Sequence, residues 1–235
     1  MWFAPTHYDE LLARWEDLGT RLHQSGGAWR REGKRLIRSW GRWPRRYHNT
    51  PHLLACLRHF DEVRGQLDDA VAVELALWFH DAIYWPWRPL NEEKSALWAE
   101  CFLRTAGLSA TLIATVSRHI LDTRHQAVPS PGDAQWVVDI DLAILGQREA
   151  VYRQFELDVR SEYRWVRWPR YVAGRSAVLQ SFLDRPRIYS TPGLLSVTRQ
   201  APGTTSSPPW LLCRATSFIE LAVAAQLAPR QWHET

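Results

Sequence analysis

The amino-acid sequence predicts an all-α domain, and three observations carry that expectation. Apolar residues recur at the spacing of one helix face along successive segments. Glycine, proline and cap-forming residues punctuate the intervals between those segments. Residues 70–79, AVAVELALWF, are apolar nearly all round, broken only by Glu74. A helix without a polar face has to lie in the interior. With 235 residues and 46% apolar content, the chain suits one well-buried domain rather than two.

Taken in order, residues 6–24 read as an amphipathic helix with Tyr8, Leu11, Leu12, Trp15 and Leu18 on one face, ended by Ser25-Gly26-Gly27. A basic helix follows over residues 28–40, and residues 41–44 break it. Thr50 is the expected N-cap of the third helix and Pro51 its first residue, ahead of core-facing Leu53, Leu54, Leu57 and Phe60. The buried helix 70–79 runs into His80 and Asp81. Trp85-Pro86-Trp87 forms a loop closed by Pro89, at the rim of any site here. Asn91 caps the next helix, with Glu92 and Glu93 in its first turn. Residues 109–124 carry Leu112, Ile113, Val116 and Ile120 on one face, and His125 follows. His59 and His119 read as structural or solvent-facing. Pro129, Pro131 and Gly132 mark a loop before QWVVDIDLAILG. Residues 148–183 are helical again, interrupted near Trp168-Pro169. After Tyr189 the chain turns rich in Pro, Gly, Ser and Thr. This places a domain over residues 1–190 and a poorly ordered tail over 191–235. No internal repeat is visible.

The chemistry concentrates between Arg46 and Asp81. His52 falls in a first helical turn, where the positive end of the helix dipole disfavours imidazolium and leaves a lone pair to donate. An unpaired carboxylate beside an imidazole at the end of a buried helix costs several kcal/mol. A divalent cation bound by His52, His80 and Asp81 offsets that cost. The plainer alternative is a His-Asp hydrogen bond that joins two helices. In QWVVDIDLAILG, Asp139 and Asp141 are two apart and point to different faces of a helix, so only one reaches such a site.

These residues carry a resemblance. Tyr47-His48-Asn49 with His52, WFHDAIY around Asp81, NEEKSA from Asn91, DTRH ending at His125, DIDLAILG from Asp139 and RSEY ending at Tyr163 occur in this order. The set resembles the HD-domain superfamily of metal-dependent phosphohydrolases, and within it the largely uncharacterised predicted metal-dependent HD hydrolases. The similarity spans roughly Tyr8 to Tyr189 and fails beyond. It implies an all-α helical bundle of the HD type around a metal site of His52, His80, Asp81 and Asp141. Asp141 is chosen because the last family ligand stands before a leucine, here Leu142; Asp139 then lies in the second shell or stabilises its helix. Two imidazoles and two carboxylates without thiolate suit Mn, Fe, Ni, Zn or Mg. The implied reaction is phosphoester hydrolysis on a nucleotide-like or small phosphorylated substrate. The Tyr-His-Asn-x-x-His segment is also similar to the cyclic-nucleotide phosphodiesterases, which makes His48 the general acid. His125 stands where it reaches phosphate or a metal-bound water. Arg46, Asn49, Glu92 and Arg160 are the expected substrate contacts; Arg160, Glu162 and Arg175 read equally well as an ion-paired helix surface.

The bulk properties set the rivals. Net charge is +4, and eight basic residues against one acid lie between Arg30 and Arg46. Such a cluster suits a solvated helix face, or phosphate and nucleic acid. The rival from another class is thus a catalytically degenerate protein that binds nucleic acid or nucleotide through this segment; nucleic acid is the less favoured partner. An iron-dependent oxygenase on the same frame is a third. Cys56, Cys101 and Cys213 form no disulfide framework, and the N-terminus has no signal-peptide pattern, so a cytoplasmic location is expected. No apolar run is clean enough to span a bilayer.

Overall fold

The structure, a computed structural model, describes residues 7–191. It is helical throughout, with no strand among the described residues. Among the described residues nine α-helices follow in order: α1 (His7–Arg21), α2 (Gly27–Trp40), α3 (Thr50–Val63), α4 (Ala70–Phe79), α5 (Asn91–Thr105), α6 (Ala110–Asp122), α7 (Asp133–Asp141), α8 (Glu149–Glu162) and α9 (Trp168–Leu183).

Helix α4 is the axis of the bundle. It packs against α3, α5, α6 and α7, and every residue from Ala72 to Phe79 is buried. Its one charge, Glu74, is ion-paired with Arg21 of α1 at 2.6 Å. Burial raises the Glu74 pKa, and the arginine opposes that rise.

Tryptophans lock α1 onto α2. Trp15 Nε1–H donates to the Trp29 carbonyl, and Trp29 Nε1–H donates to the Trp15 carbonyl, each at 2.8 Å. The two rings stack with centroids 4.5 Å apart. Gly33 is required by this contact, because a methyl there would overlap the Trp15 ring. Trp40, at the end of α2, donates to the Trp78 carbonyl at 3.0 Å and lays its ring beside His80.

Two expected helix starts are corrected by side-chain chemistry, and one expected interruption is borne out. Asn49, not Thr50, caps α3: its Oδ1 accepts from His52 N at 3.3 Å, while Thr50 and Pro51 lie in the first turn. Asn91 does not cap α5. Leu90 holds that place with φ 64°, and Asn91 turns back to bond the Trp85 N–H and the Trp85 and Arg88 carbonyls. Near Trp168-Pro169 the interruption is real: α8 ends at Glu162, and α9 begins at Trp168 with the proline in its first turn.

The packed domain runs past Tyr189. Ile188, Tyr189 and Thr191 are buried, and Tyr189 Oη–H donates to the Leu142 carbonyl at 3.1 Å. The expected poorly ordered tail lies outside the described residues from 192 onward. Among the described residues no helix is long and apolar enough to cross a membrane.

Candidate metal centre

The ends of three helices and one loop converge beside α4. The first turn of α3 supplies His52, the end of α4 supplies His80 and Asp81, and the end of α7 supplies Asp141. His125, in the left-handed region at φ 57° just after α6, completes the group. Asp141 is the hub. Its Oδ1 lies 3.1 Å from His52 Nε2 and 3.5 Å from His80 Nε2, and its Oδ2 lies 3.0 Å from His125 Nε2. Asp81 Oδ2 is 3.9 Å from His80 Nε2. The ligating atoms of His52, His80 and Asp81 lie within 4.8 Å of one another, as do those of His52, Cys56 and Asp141.

His80 is the most constrained member, at 1% exposure. Its Nδ1 is 2.9 Å from the Leu77 carbonyl. A carbonyl only accepts, so Nδ1 carries the proton and Nε2 faces the two carboxylates. Nε2 has no hydrogen-bond partner; at 3.5 Å its approach to Asp141 is electrostatic rather than a well-formed bond. Burial alone would depress this imidazole, but Asp141 and Asp81 outweigh it and raise its pKa to about 9. Burial likewise works against the Asp141 carboxylate, yet the facing histidines hold it well below the usual range. His52 goes the other way, kept neutral by burial. This set of two carboxylates and facing imidazole nitrogens asks for positive charge at its centre. The residues therefore fit a divalent cation, the more so because Nδ1–H bonded to a backbone carbonyl is the arrangement that orients a histidine ligand through Nε2.

His48 sits at the edge of this group and is held by a residue from far along the chain. Glu162 Oε1 accepts the N–H groups of Arg46, Tyr47 and His48 at 2.7, 2.9 and 3.1 Å. Its Oε2 accepts from His48 Nδ1 at 2.7 Å and from Tyr84 Oη at 2.9 Å. Burial opposes the charge on Glu162, but His48 and the other donors prevail and hold the carboxyl at about 2. Burial also opposes a charged His48; Glu162 outweighs it and raises that imidazole. The ring stacks on Tyr84, centroids 4.1 Å apart, and Nε2 is the nitrogen that Glu162 leaves unengaged.

Several expected site residues do other work. Asp139 faces away from the histidines: its carboxylate accepts Ser190 N at 3.0 Å, Thr191 N at 2.7 Å and Thr191 Oγ1 at 2.7 Å, and so ties the end of the domain to α7. Asn49 is not free for substrate, since it caps α3 and its amide donates to the Arg46 carbonyl. Arg160 is likewise engaged within the fold. It donates to the Tyr163 and Val166 carbonyls and covers the Trp168 and Tyr171 rings, which closes the turn between α8 and α9. Arg175 is half-buried in a two-pronged pair with Glu156. Arg46 does lie at the rim, exposed. Glu92 is half-buried at the start of α5, where burial and then the charge on Asp81 raise its carboxyl.

The basic run 30–46 is divided by the fold. Arg30 pairs with Glu16, Arg35 pairs with Glu32 over the Trp98 ring, and Arg45 turns inward. Arg45 donates to the carbonyls of His48, Asp81 and Ala82 at 3.1, 2.7 and 3.0 Å, which fixes the loop bearing His48 against the end of α4. Arg45 and Cys56 are the residues that sequence reasoning missed here, and Glu162, weighed there as helix surface or substrate contact, instead holds the His48 turn. Cys56 carried a usable signal: it lies four residues after His52 on a buried face, and its Sγ is 3.7 Å from His52 Nε2. Burial pushes its thiol pKa well up. Compared with known proteins, the chain matches no protein-family model, no curated protein and no solved structure.

Proposed function

We propose that the protein is a metal-dependent phosphohydrolase of the HD type, with His52, His80, Asp81 and Asp141 as the ligands of a divalent cation. The observation that carries this reading is the buried His80 Nε2, which has no hydrogen-bond partner and faces two carboxylates while its Nδ1 proton is committed to Leu77. A hydrogen-bonded His-Asp pair that merely joins helices would leave no such atom. When bound, the metal supplies a water that ionises near neutral pH and a Lewis acid for a phosphoryl oxygen. Of the metals considered, Mn, Fe, Ni, Zn and Mg all accept this nitrogen and oxygen set.

The remaining roles fall to the chain itself. Glu162 holds His48 through Nδ1 and favours its protonated form, so His48 can give a proton to the leaving oxygen from Nε2. His125 braces Asp141 through Oδ2. Arg46 is exposed beside the His48 turn and serves as a cation for a substrate phosphate, and Glu92 lies close enough to Asp81 and His125 to feel both charges. The substrate class is a phosphoester, nucleotide-like or a small phosphomonoester. The test is elemental analysis of purified protein together with a phosphatase substrate screen. Close to one divalent metal per chain, and hydrolysis abolished by chelator and restored by metal, is the expected result. Metal content unchanged in Asp81→Ala would refute the assignment.

A further inference from the structure

Two loops and the turn that leads into α9 meet beside His48, and their composition is unlike the rest of the chain. Residues 41–48 (GRWPRRYH), 84–90 (YWPWRPL) and 163–170 (YRWVRWPR) together hold seven arginines and five tryptophans, and no aspartate or glutamate. The fold joins them ring by ring. The Arg164 guanidinium covers Trp43 at 5.0 Å, linking the first loop to the third. Arg42 and Arg88 both lie over Trp85, at 5.1 and 5.9 Å, linking the first to the second. Trp87 stands 5.2 Å from Trp85 and 6.5 Å from Trp165, linking the second to the third. Trp43, Trp87 and Trp165 remain 65%, 43% and 56% exposed. Arg42, Arg88 and Arg164 are exposed and ion-paired to no carboxylate among the described residues.

We infer that this rim binds single-stranded nucleic acid, with bases stacked on the exposed tryptophans and phosphates held by the arginines between them. The inference deepens the phosphohydrolase reading, on which it rests for the fate of the strand but not for its binding: the substrate becomes a phosphodiester in an oligonucleotide. The physical grounds are these. Ring faces presented from loops can stack only on unpaired bases, because a duplex hides its base faces. An arginine over a ring keeps its N–H edge free for phosphate. The three segments themselves carry no acid to repel a polyanion. The rim is also continuous with the candidate centre, since Tyr84, next to Trp85, stacks on His48, and Glu162, next to Tyr163, holds it.

The experiment is fluorescence anisotropy of a labelled oligothymidylate of about ten nucleotides, a length within the span of such sites, added to the full chain in chelator and low salt. Binding that falls steeply with salt is expected. Trp87→Ala and Trp165→Ala should each weaken it roughly 5- to 150-fold, the loss of one stacked base. Arg104→Ala, exposed on α5 and outside both the rim and the basic run 30–46, should leave it unchanged, and circular dichroism should show all variants folded. Absence of binding, equal binding by the tryptophan variants, equal affinity for a mononucleotide, or preference for anionic phosphatidylserine vesicles would each overturn the inference. The two readings separate cleanly. Oligonucleotide binding with no hydrolysis of any phosphoester in added metal defeats the phosphohydrolase reading alone, and phosphomonoester hydrolysis without oligonucleotide binding or oligonucleotide hydrolysis defeats this one alone.

Discussion

Replacing Glu162 by glutamine isolates one buried charge. The residue is 1% exposed and its carboxylate receives four donors from a loop more than a hundred residues away and a fifth from Tyr84. Glutamine keeps the shape, and its carbonyl oxygen can still accept the three backbone N–H groups, so what is lost is the charge facing His48 and Tyr84. The native carboxyl is held at about 2 against the ordinary 4.5. At about 1.4 kcal/mol per pH unit, that difference is worth roughly 3 kcal/mol. The sign follows from the depressed value: this stability is fully present above about pH 4.5 and is lost as pH falls toward 2. Urea unfolding at pH 7, followed by tryptophan fluorescence, should therefore show Glu162→Gln less stable by about that amount. For a domain of this size the same loss lowers Tm by roughly 6–12 °C. Below pH 4.5 the gap between variant and wild type should close, because wild type alone loses this component. A variant as stable as wild type at pH 7, or one with the same acid-side decline, would show that Glu162 does not act through its charge.

Metal content, measured by elemental analysis, should be abolished by His80→Ala and Asp81→Ala and largely lost in Asp141→Ala. Asp139→Ala should keep its metal but melt lower, because it leaves three buried donors unpaired at about 1–3 kcal/mol each; metal loss from folded Asp139→Ala would reverse the assignment. His48→Ala should retain metal and slow an alkyl phosphoester by about 10²–10⁴-fold while barely affecting p-nitrophenyl phosphate, whose leaving group needs no proton. Equal losses on both substrates would remove the acid role and leave His125 as the next choice. Truncation after Thr191 should preserve the fold and its metal, whereas truncation after Tyr189 strips Asp139 of its donors and should lower Tm; identical melting of the two would contradict the clamp.

Much of the architecture was legible because it is local. Helix periodicity depends on residues three and four apart, and the all-apolar stretch 70–79 left burial as its only outcome. His52 and the His80-Asp81 pair were readable for the same reason: each lies at the end of a helix whose apolar face dictates its direction. Tertiary structure decided whatever depends on partners far away in sequence. Asp139 and Asp141 are equivalent in local setting, and the divergence of their side chains says only that they part company. That Asp139 meets Ser190 and Thr191 while Asp141 meets three histidines comes from how α7 is packed. Arg45 and Arg160 look like surface or substrate cations in the sequence. The fold turns both onto loop carbonyls, since irregular backbone leaves acceptors that need donors. Glu162 reads as one acid on an ordinary helix until its helix brings it under the His48 turn. The tryptophans and arginines of three separate segments become one surface only when those segments meet, which no local pattern records.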